Sequence, residues 1–348
     1  MMRITSEFAA QWANPVNVLS VLQLIGGSIV RKALAQLAGS SYFVPVAFSF
    51  GWVSYSFEAL MSAFGDGRIL PQPDHSSVLI NTATGYRREN HSWVLGRLLR
   101  DFENQACDQA FRITVFAVQS RNPRWDWINY SGVFIMVIQC LISFLPFSLH
   151  GNWVIPVVTI FGTVLGLCDG ALPQWKLEKW SARPQSSKTI ALCRGNGSQH
   201  VMILISSGKS YDLEDLASAR VGKARCTRSL LVMLAILRCL LLLVVSCVTK
   251  DCWYLFAIGA LGMMHNLIAA GAARDPPAHG FDLSPLKTFE GTKVMKVLEE
   301  LEMHYPGVGV SLLKMFFPGP LRPDEETFWT ARKMRVTQGE KHSRPVSV

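Results

Sequence analysis

Residues Ser229–Thr249 read SLLVMLAILRCLLLLVVSCVT, an apolar run with a single formal charge, Arg238, at its middle. A helix rises 1.5 Å per residue, so this run is about 30 Å long as a helix, the thickness of a bilayer's hydrocarbon core. An arginine at that depth costs ~2.5–3.5 kcal/mol on insertion scales. Its fourteen Leu, Val, Ile and Met neighbours offset that cost. In lipid the backbone must satisfy its own hydrogen bonds, so the run is expected to be helical.

Four more stretches share this character: Phe43–Phe64, Gly132–Leu149, Trp153–Leu172 and Cys252–Ala272. The spans at 132–149 and 153–172 are joined by His150-Gly151-Asn152, and those at 229–249 and 252–272 by Lys250-Asp251. Such short tips predict tight helical hairpins. A sixth stretch, Val16–Val30, contains Asn17, Gln23 and Gly26-Gly27. It reads as an interfacial or re-entrant segment or as a short span. A signal peptide is a third reading, opposed by Arg31 and Lys32 before the cleavage-like Ala33-Leu34-Ala35. The expected fold is an α-helical integral membrane protein of five to six transmembrane helices.

Composition agrees. The 348-residue chain is 49% hydrophobic and 17% charged, with mean hydropathy +0.23, against roughly 25% charged in soluble domains. The net charge of +9 sits between the apolar blocks, so membrane topology accounts for it and no nucleic-acid partner is expected. The three polar regions, 65–131, 173–228 and 273–348, carry 29 of the 34 Lys and Arg. The positive-inside rule places all three in the cytosol. The sequons at Asn90, Asn129 and Asn196 are then expected to be unused. The eight cysteines form no CxxC pair and are read as reduced, mostly buried thiols.

The polar regions have their own pattern. Ser77–Asn81 and Arg112–Gln119 read as strands, and Ser92 caps a helix through Asn104 with Val94, Leu95, Leu98, Leu99 and Phe102 on one face. Lys188–Cys193 and His200–Ile205 read as a hairpin turned by Asn196-Gly197. Asp212–Arg220 reads as a helix. The two loops are expected to form a small cytosolic α+β layer. In the tail, Thr292–His304 reads as an amphipathic helix. Val308–Phe317 is apolar enough to touch lipid or the bundle, Pro323 starts a last helix, and the chain beyond Gln338 is expected to be disordered.

Familiar chemistry is missing from the sequence. Gly208-Lys209-Ser210 lacks the earlier glycine of a P-loop, and Gly195-x-Gly197 lacks the third glycine of a dinucleotide fingerprint. Neither G-x-S-x-G nor H-E-x-x-H occurs. No cofactor and no metal are expected; His75 and His91 are isolated, and His200 is read as a surface residue. What remains is polarity inside the spans. Arg238 must face the bundle, and Glu58 is its expected partner. Glu58, Arg238 and His265 form the candidate intramembrane pocket, read either as a substrate site with shifted pKa values or as a structural ion pair beside a hydrogen-bonded histidine. Asn266 and Asp169 also lie within spans. Gly162, Gly166 and Gly170 form a small-residue stripe, read as packing within the chain or as a homodimer interface.

Four segments, NPVNVLSVLQLIGGSIVRKALAQLAG (14–39), VPVAFSFGWVSYSFEALMSAFGDGRILP (44–71), GYRRENHSWVLGRLLRDFE (85–103) and RGNGSQHVMILI (194–205), resemble a family of multi-pass membrane proteins of filamentous fungi. The resemblance covers about residues 14–225. It implies an association with secondary-metabolite gene clusters of polyketide or polyketide–peptide type, and it carries no catalytic residues. Three functions follow as expectations. The first is an accessory or tailoring component in the endoplasmic reticulum that assists cyclisation of a lipophilic intermediate. The second is an exporter of the metabolite. The third is a membrane scaffold for soluble or membrane-bound pathway enzymes. Lipids are partners in each, and the sequence leaves open whether any bond is made.

Overall fold

The computed structural model describes residues 21–22, 24–105, 111–220, 222, 224 and 226–342. Its helices up to the second polar segment are α1 (Gly27–Leu37), α2 (Trp52–Phe64), α3 (Trp93–Gln105), α4 (Trp127–His150), α5 (Val154–Gly170), α6 (Pro173–Lys179) and α7 (Leu213–Ala217). They are followed by α8 (Thr227–Ser246), α9 (Cys252–Gly271), α10 (Val294–His304), α11 (Val308–Phe316) and α12 (Pro323–His342). The strands are β1 (Val78–Asn81), β2 (Arg87–Glu89), β3 (Phe111–Ser120), β4 (Thr189–Cys193), β5 (His200–Ser206) and β6 (Phe281–Gly291). Two compact units result, Met1–Pro71 with Arg124–Trp180 and Val221–Ala272, and Gln72–Pro123 with Ser181–Arg220 and Ala273–Val348.

In the first unit, four stretches are long and apolar enough to cross a membrane: Trp127–His150, Val154–Lys179, Thr227–Ser246 and Cys252–Gly271. The polarity of α4 is inverted relative to a soluble helix. Its inward face carries Asn129, Gly132, Met136, Gln139, Ser143 and Pro146, at alternating steps of three and four. Its outward face exposes Phe134, Val137, Leu141 and Phe144. Small and polar groups inside with bulky apolar groups outside is the pattern expected when lipid is the solvent. An Asp126–Asn129 capping box starts α4, and Gly151, at φ 69°, ends it.

Phe43–Phe64 does not form the single span expected of it. Residues 43–49 have no regular secondary structure, and α2 is 13 residues long, about 20 Å of helix. The segment enters the bundle extended. Val44 packs at the position of Gly170, near one end of α5, and Phe48 at Gly162, midway along it. Gly51, at φ 88°, turns the chain into α2, and the helix returns to the starting end, where Arg228 Nε donates to the carbonyl of Ala63 at 3.2 Å. The region is a hairpin that enters and leaves by the same end of the bundle. Of Val16–Val30, residues 16–20 and 23 lie outside the described residues, and Gly27 onward belongs to α1, which is 11 residues long, too short to span as it stands. The signal-peptide alternative gains nothing from this helix, because Ala33, Leu34 and Ala35 are fully buried.

The second unit is built on a six-stranded mixed sheet in the order β2-β1-β4-β5-β3-β6. Only β3 and β5 pair in parallel; the β4–β5 pair is the expected antiparallel hairpin. The sheet is larger than a two-loop layer, because the tail contributes β6, paired with β3 over its length. Alternation along the strands puts Ile80, Ile113, Val115, Ala191, Cys193, Val201 and Ile203 on one face. That face packs against Val297, Leu298 and Leu301 of α10, Leu312 and Leu313 of α11, and Trp329 of α12. α11 therefore fills this core rather than touching lipid. Helix α12 runs to His342, beyond the expected end of order. Burial pushes the Cys193 thiol up to about 11. Of the seven described cysteines only Cys193 and Cys252 are buried, fewer than expected, and Cys107 lies outside the described residues.

Candidate functional site

The extended segment explains the polar residues of the first unit. Unpaired backbone carbonyls at membrane depth cost several kcal/mol each, so a non-helical segment there needs donors. The Gln139 amide donates to Phe48 O at 2.6 Å and to Ile258 O at 2.8 Å. The Asn266 amide donates to Ala47 O at 3.0 Å and to Ser49 Oγ at 2.8 Å. Trp52 Nε1 also donates to Ala47 O, at 3.2 Å. The helices make room with glycine. A Cβ at Gly262 would lie 1.9 Å from Phe48 O. The glycine stripe of α5 receives Phe48 at Gly162, Trp52 at Gly166 and Val44 at Gly170, so the chain's own side chains occupy it.

Arg238 lies at the centre of this arrangement. It is 1% exposed and donates from Nη2 to Oδ2 of Asp169, which is equally buried. Its guanidinium lies 4.1 Å from the ring centroid of Trp52, and Tyr55 meets that indole edge-on at 5.5 Å. The partner is therefore Asp169 and not Glu58. The positions explain the difference: Trp52 begins α2 inside the bundle and brings its ring to α5 and α8, whereas Glu58 Oε1 lies beside Gly27 at the start of α1. There a carboxylate complements the positive end of a helix. His265 goes elsewhere again, its Nε2 3.1 Å from Ser131 Oγ. None of Glu58, Arg238 and His265 is hydrogen-bonded to another of the three.

Three donors at the centre have no hydrogen-bond partner among the described residues: Arg238 Nε, Arg238 Nη1 and the Tyr55 hydroxyl. Buried donors left unmet cost ~1–3 kcal/mol each. Arginine cannot escape by losing its proton. The centre therefore offers hydrogen-bond donation from a fixed cation whose charge Asp169 balances. The acceptor type that such donors suit is a carbonyl oxygen or a carboxylate.

Sequence reasoning missed Gln139 and Tyr55. A lone amide within the run Gly132–Leu149 was the available signal for the first; nothing marked the second. His200, expected at the surface, is 5% exposed, with its ring edge-on to Phe102. His75 is not isolated, since its Nε2 lies 3.0 Å from Glu103 Oε2 and 3.1 Å from Arg194 Nε. Among the described residues no three His, Cys, Asp or Glu side chains are grouped to hold a metal ion. No protein-family profile, curated protein or solved structure matches the chain.

Proposed function

We propose that this chain is an accessory or tailoring component of fungal secondary-metabolite biosynthesis. In this reading it sits in the endoplasmic reticulum membrane and holds a lipophilic intermediate of polyketide or polyketide–peptide type while a step such as cyclisation proceeds. The single observation that carries it is the buried Arg238–Asp169 pair, with unmet donors on Arg238 and Tyr55, inside a bundle whose outer surface is apolar. A carbonyl-rich, lipid-soluble intermediate is the kind of molecule such donors would orient. The resemblance of residues 14–225 to fungal multi-pass proteins supplies the biological setting.

The cytosolic placement of the polar segments rests on their charge, since they hold 29 of the 34 Lys and Arg. All three also contribute strands to one sheet, which favours a common side because a single sheet cannot straddle a bilayer. That sheet favours a second reading, a scaffold that gathers pathway enzymes at the membrane surface.

Metabolite profiling of a deletion strain separates the readings. Loss of product with accumulation of an intermediate is the expected result. Product retained inside the cells would indicate export instead. A strain carrying Arg238→Met with Asp169→Leu tests the centre itself. Normal product at a normal protein level would remove the bundle from the mechanism and leave the scaffold.

A further inference from the structure

At the end of the first unit where the hairpin enters and leaves, a cavity of about 270 Å³ is lined by Ala63, Gly67, Ile69, Gln174, Ala224, Thr227 and Arg228. Its walls are built in advance. The turn carrying Gly67 and Ile69 is held from one side by Arg31, whose Nε donates to Ile69 O at 2.9 Å and Nη2 to Ser62 Oγ at 2.8 Å. From the other side Glu178 accepts the amides of Ile69 and Leu70. Gln174 is 2% exposed. Its Oε1 accepts from Ala224 N and Thr227 Oγ1, and its Nε2 donates to Glu178 Oε1 and Gly222 O. Four hydrogen bonds fix that side chain, so it is wall rather than spare ligand.

Charge at this end favours an anion. Arg31 and Arg68 lie close to Glu178 or to the turn that it holds. Arg228 lines the cavity itself, with its guanidinium 5.5 Å from the Phe64 ring. The carboxylate of Glu178 is engaged by two backbone amides and Gln174, and Arg228 Nε meets the Ala63 carbonyl. The depth is right for an interface. Arg228 is the second residue of α8, a candidate span, and Ala63 is next to last in α2. Beside the cavity's lining residues, Met61 and Phe64 of α2 and Leu177 of α6 are exposed at 70%, 58% and 43%. A cavity with one lining cation, flanked by exposed apolar side chains, matches a molecule with an anionic head and hydrocarbon tails. Basic pockets between transmembrane helices take such headgroups.

We propose that this cavity binds the phosphate headgroup of an anionic membrane phospholipid, with Arg228 as the selecting cation and the α2 face carrying the acyl chains. The proposal rests on α8 being a span and is independent of the metabolic reading.

The test uses the full-length chain in detergent, titrated with phosphatidic acid or phosphatidylcholine and read by native mass spectrometry. Wild type should prefer phosphatidic acid. Arg228→Gln should cut that preference about fivefold, the equivalent of ~1 kcal/mol per cation near a membrane surface. Arg228→Lys should keep an intermediate preference. Arg322→Gln, at an exposed arginine of the second unit, should leave it unchanged. Equal binding of the two lipids by wild type would overturn the proposal, as would an unchanged preference in Arg228→Gln or an equal loss in Arg322→Gln. Inorganic phosphate is the remaining arm. If it displaces phosphatidic acid as well as a second dose of lipid does, the site takes free phosphate and the lipid assignment fails. Should Arg228→Gln not fold, the lysine variant and the phosphate competition still decide.

Discussion

Replacing Asp169 with asparagine preserves the shape of the side chain and removes one charge of the buried pair. Arg238 would then have no counter-charge at contact distance. The Trp52 ring, 4.1 Å away, would remain and is worth up to about 2 kcal/mol to a desolvated cation. Removing one partner of a buried pair costs ~3–5 kcal/mol, a third or more of the stability of many folded proteins at 5–15 kcal/mol. The double substitution Asp169→Leu with Arg238→Met removes both charges at similar volume. Such exchanges are often neutral or stabilising, so the double variant should be more stable than the asparagine single. Unfolding in mixed micelles, with denaturing detergent as titrant, gives the four corners of the cycle, once Arg238→Met and Asp169→Leu are also measured alone. A coupling of about 3 kcal/mol is expected. Glu58→Gln combined with Arg238→Met should show none, because Glu58 sits by Gly27. If Asp169→Asn costs under ~0.5 kcal/mol, or if the two single costs simply add, the two residues are not paired and the centre described here does not exist.

The glycine notch admits a sharp contrast: Gly262→Ala should sharply lower the yield of folded protein, since its Cβ would lie 1.9 Å from Phe48 O, whereas Gly271→Ala, with open space around it, should be nearly silent in the same size-exclusion assay. In the second unit, burial pushes the Asp101 carboxyl up, but hydrogen bonds from His279, the Arg274 amide and Arg100 outweigh it and hold Asp101 below its ordinary value. A depressed carboxylate stabilises above its unfolded pKa of about 3.9 and loses that contribution as pH falls through the lower folded value. Asp101→Asn should therefore destabilise the protein at neutral pH and converge with wild type in acid; a gap that widens in acid would contradict the sign. Endoglycosidase treatment of protein from a eukaryotic host should leave its mobility unchanged, because the proposed sidedness keeps Asn90, Asn129 and the exposed Asn196 in the cytosol; a mobility shift would reverse that sidedness.

The spans at 132–149, 153–172, 229–249 and 252–272 were legible because length and hydropathy are local properties. Each emerged as a helix with ends within five residues of expectation. The β4–β5 hairpin was legible for a similar reason, since Asn196-Gly197 sits between two alternating runs. Residues 43–51 were not. VPVAFSFG is apolar whether it is coiled or extended, and only its neighbours decide which. Strand β6 was equally hidden. FDLSPLKTFEG contains Pro285 and little alternation, and it becomes a strand by adding to the edge of β3, with a register shift opposite Pro285. Arg238 was correctly placed facing inward, but its partner depended on where Trp52 begins its helix. That placement is a tertiary fact, fixed by Gly51 and the glycines of α5.

The hairpin and the intramembrane polar residues are one feature seen from two sides. An extended chain inside a bundle keeps its apolar side chains satisfied by packing, yet it cannot pair its own carbonyls as a helix does. Two of its carbonyls are met from neighbouring elements: Ala47 O by Trp52 and Asn266, and Phe48 O by Gln139. Each side chain needs a gap in a neighbouring helix, which glycine supplies at 162, 166, 170, 259 and 262. The polarity of α4 and α9 and the small-residue stripe of α5 therefore need no catalytic explanation. Subtracting the groups that meet the hairpin leaves Arg238, Asp169 and Tyr55 at the centre, with His265 apart from them on Ser131. These are the buried polar side chains in which a function inside the membrane is to be sought.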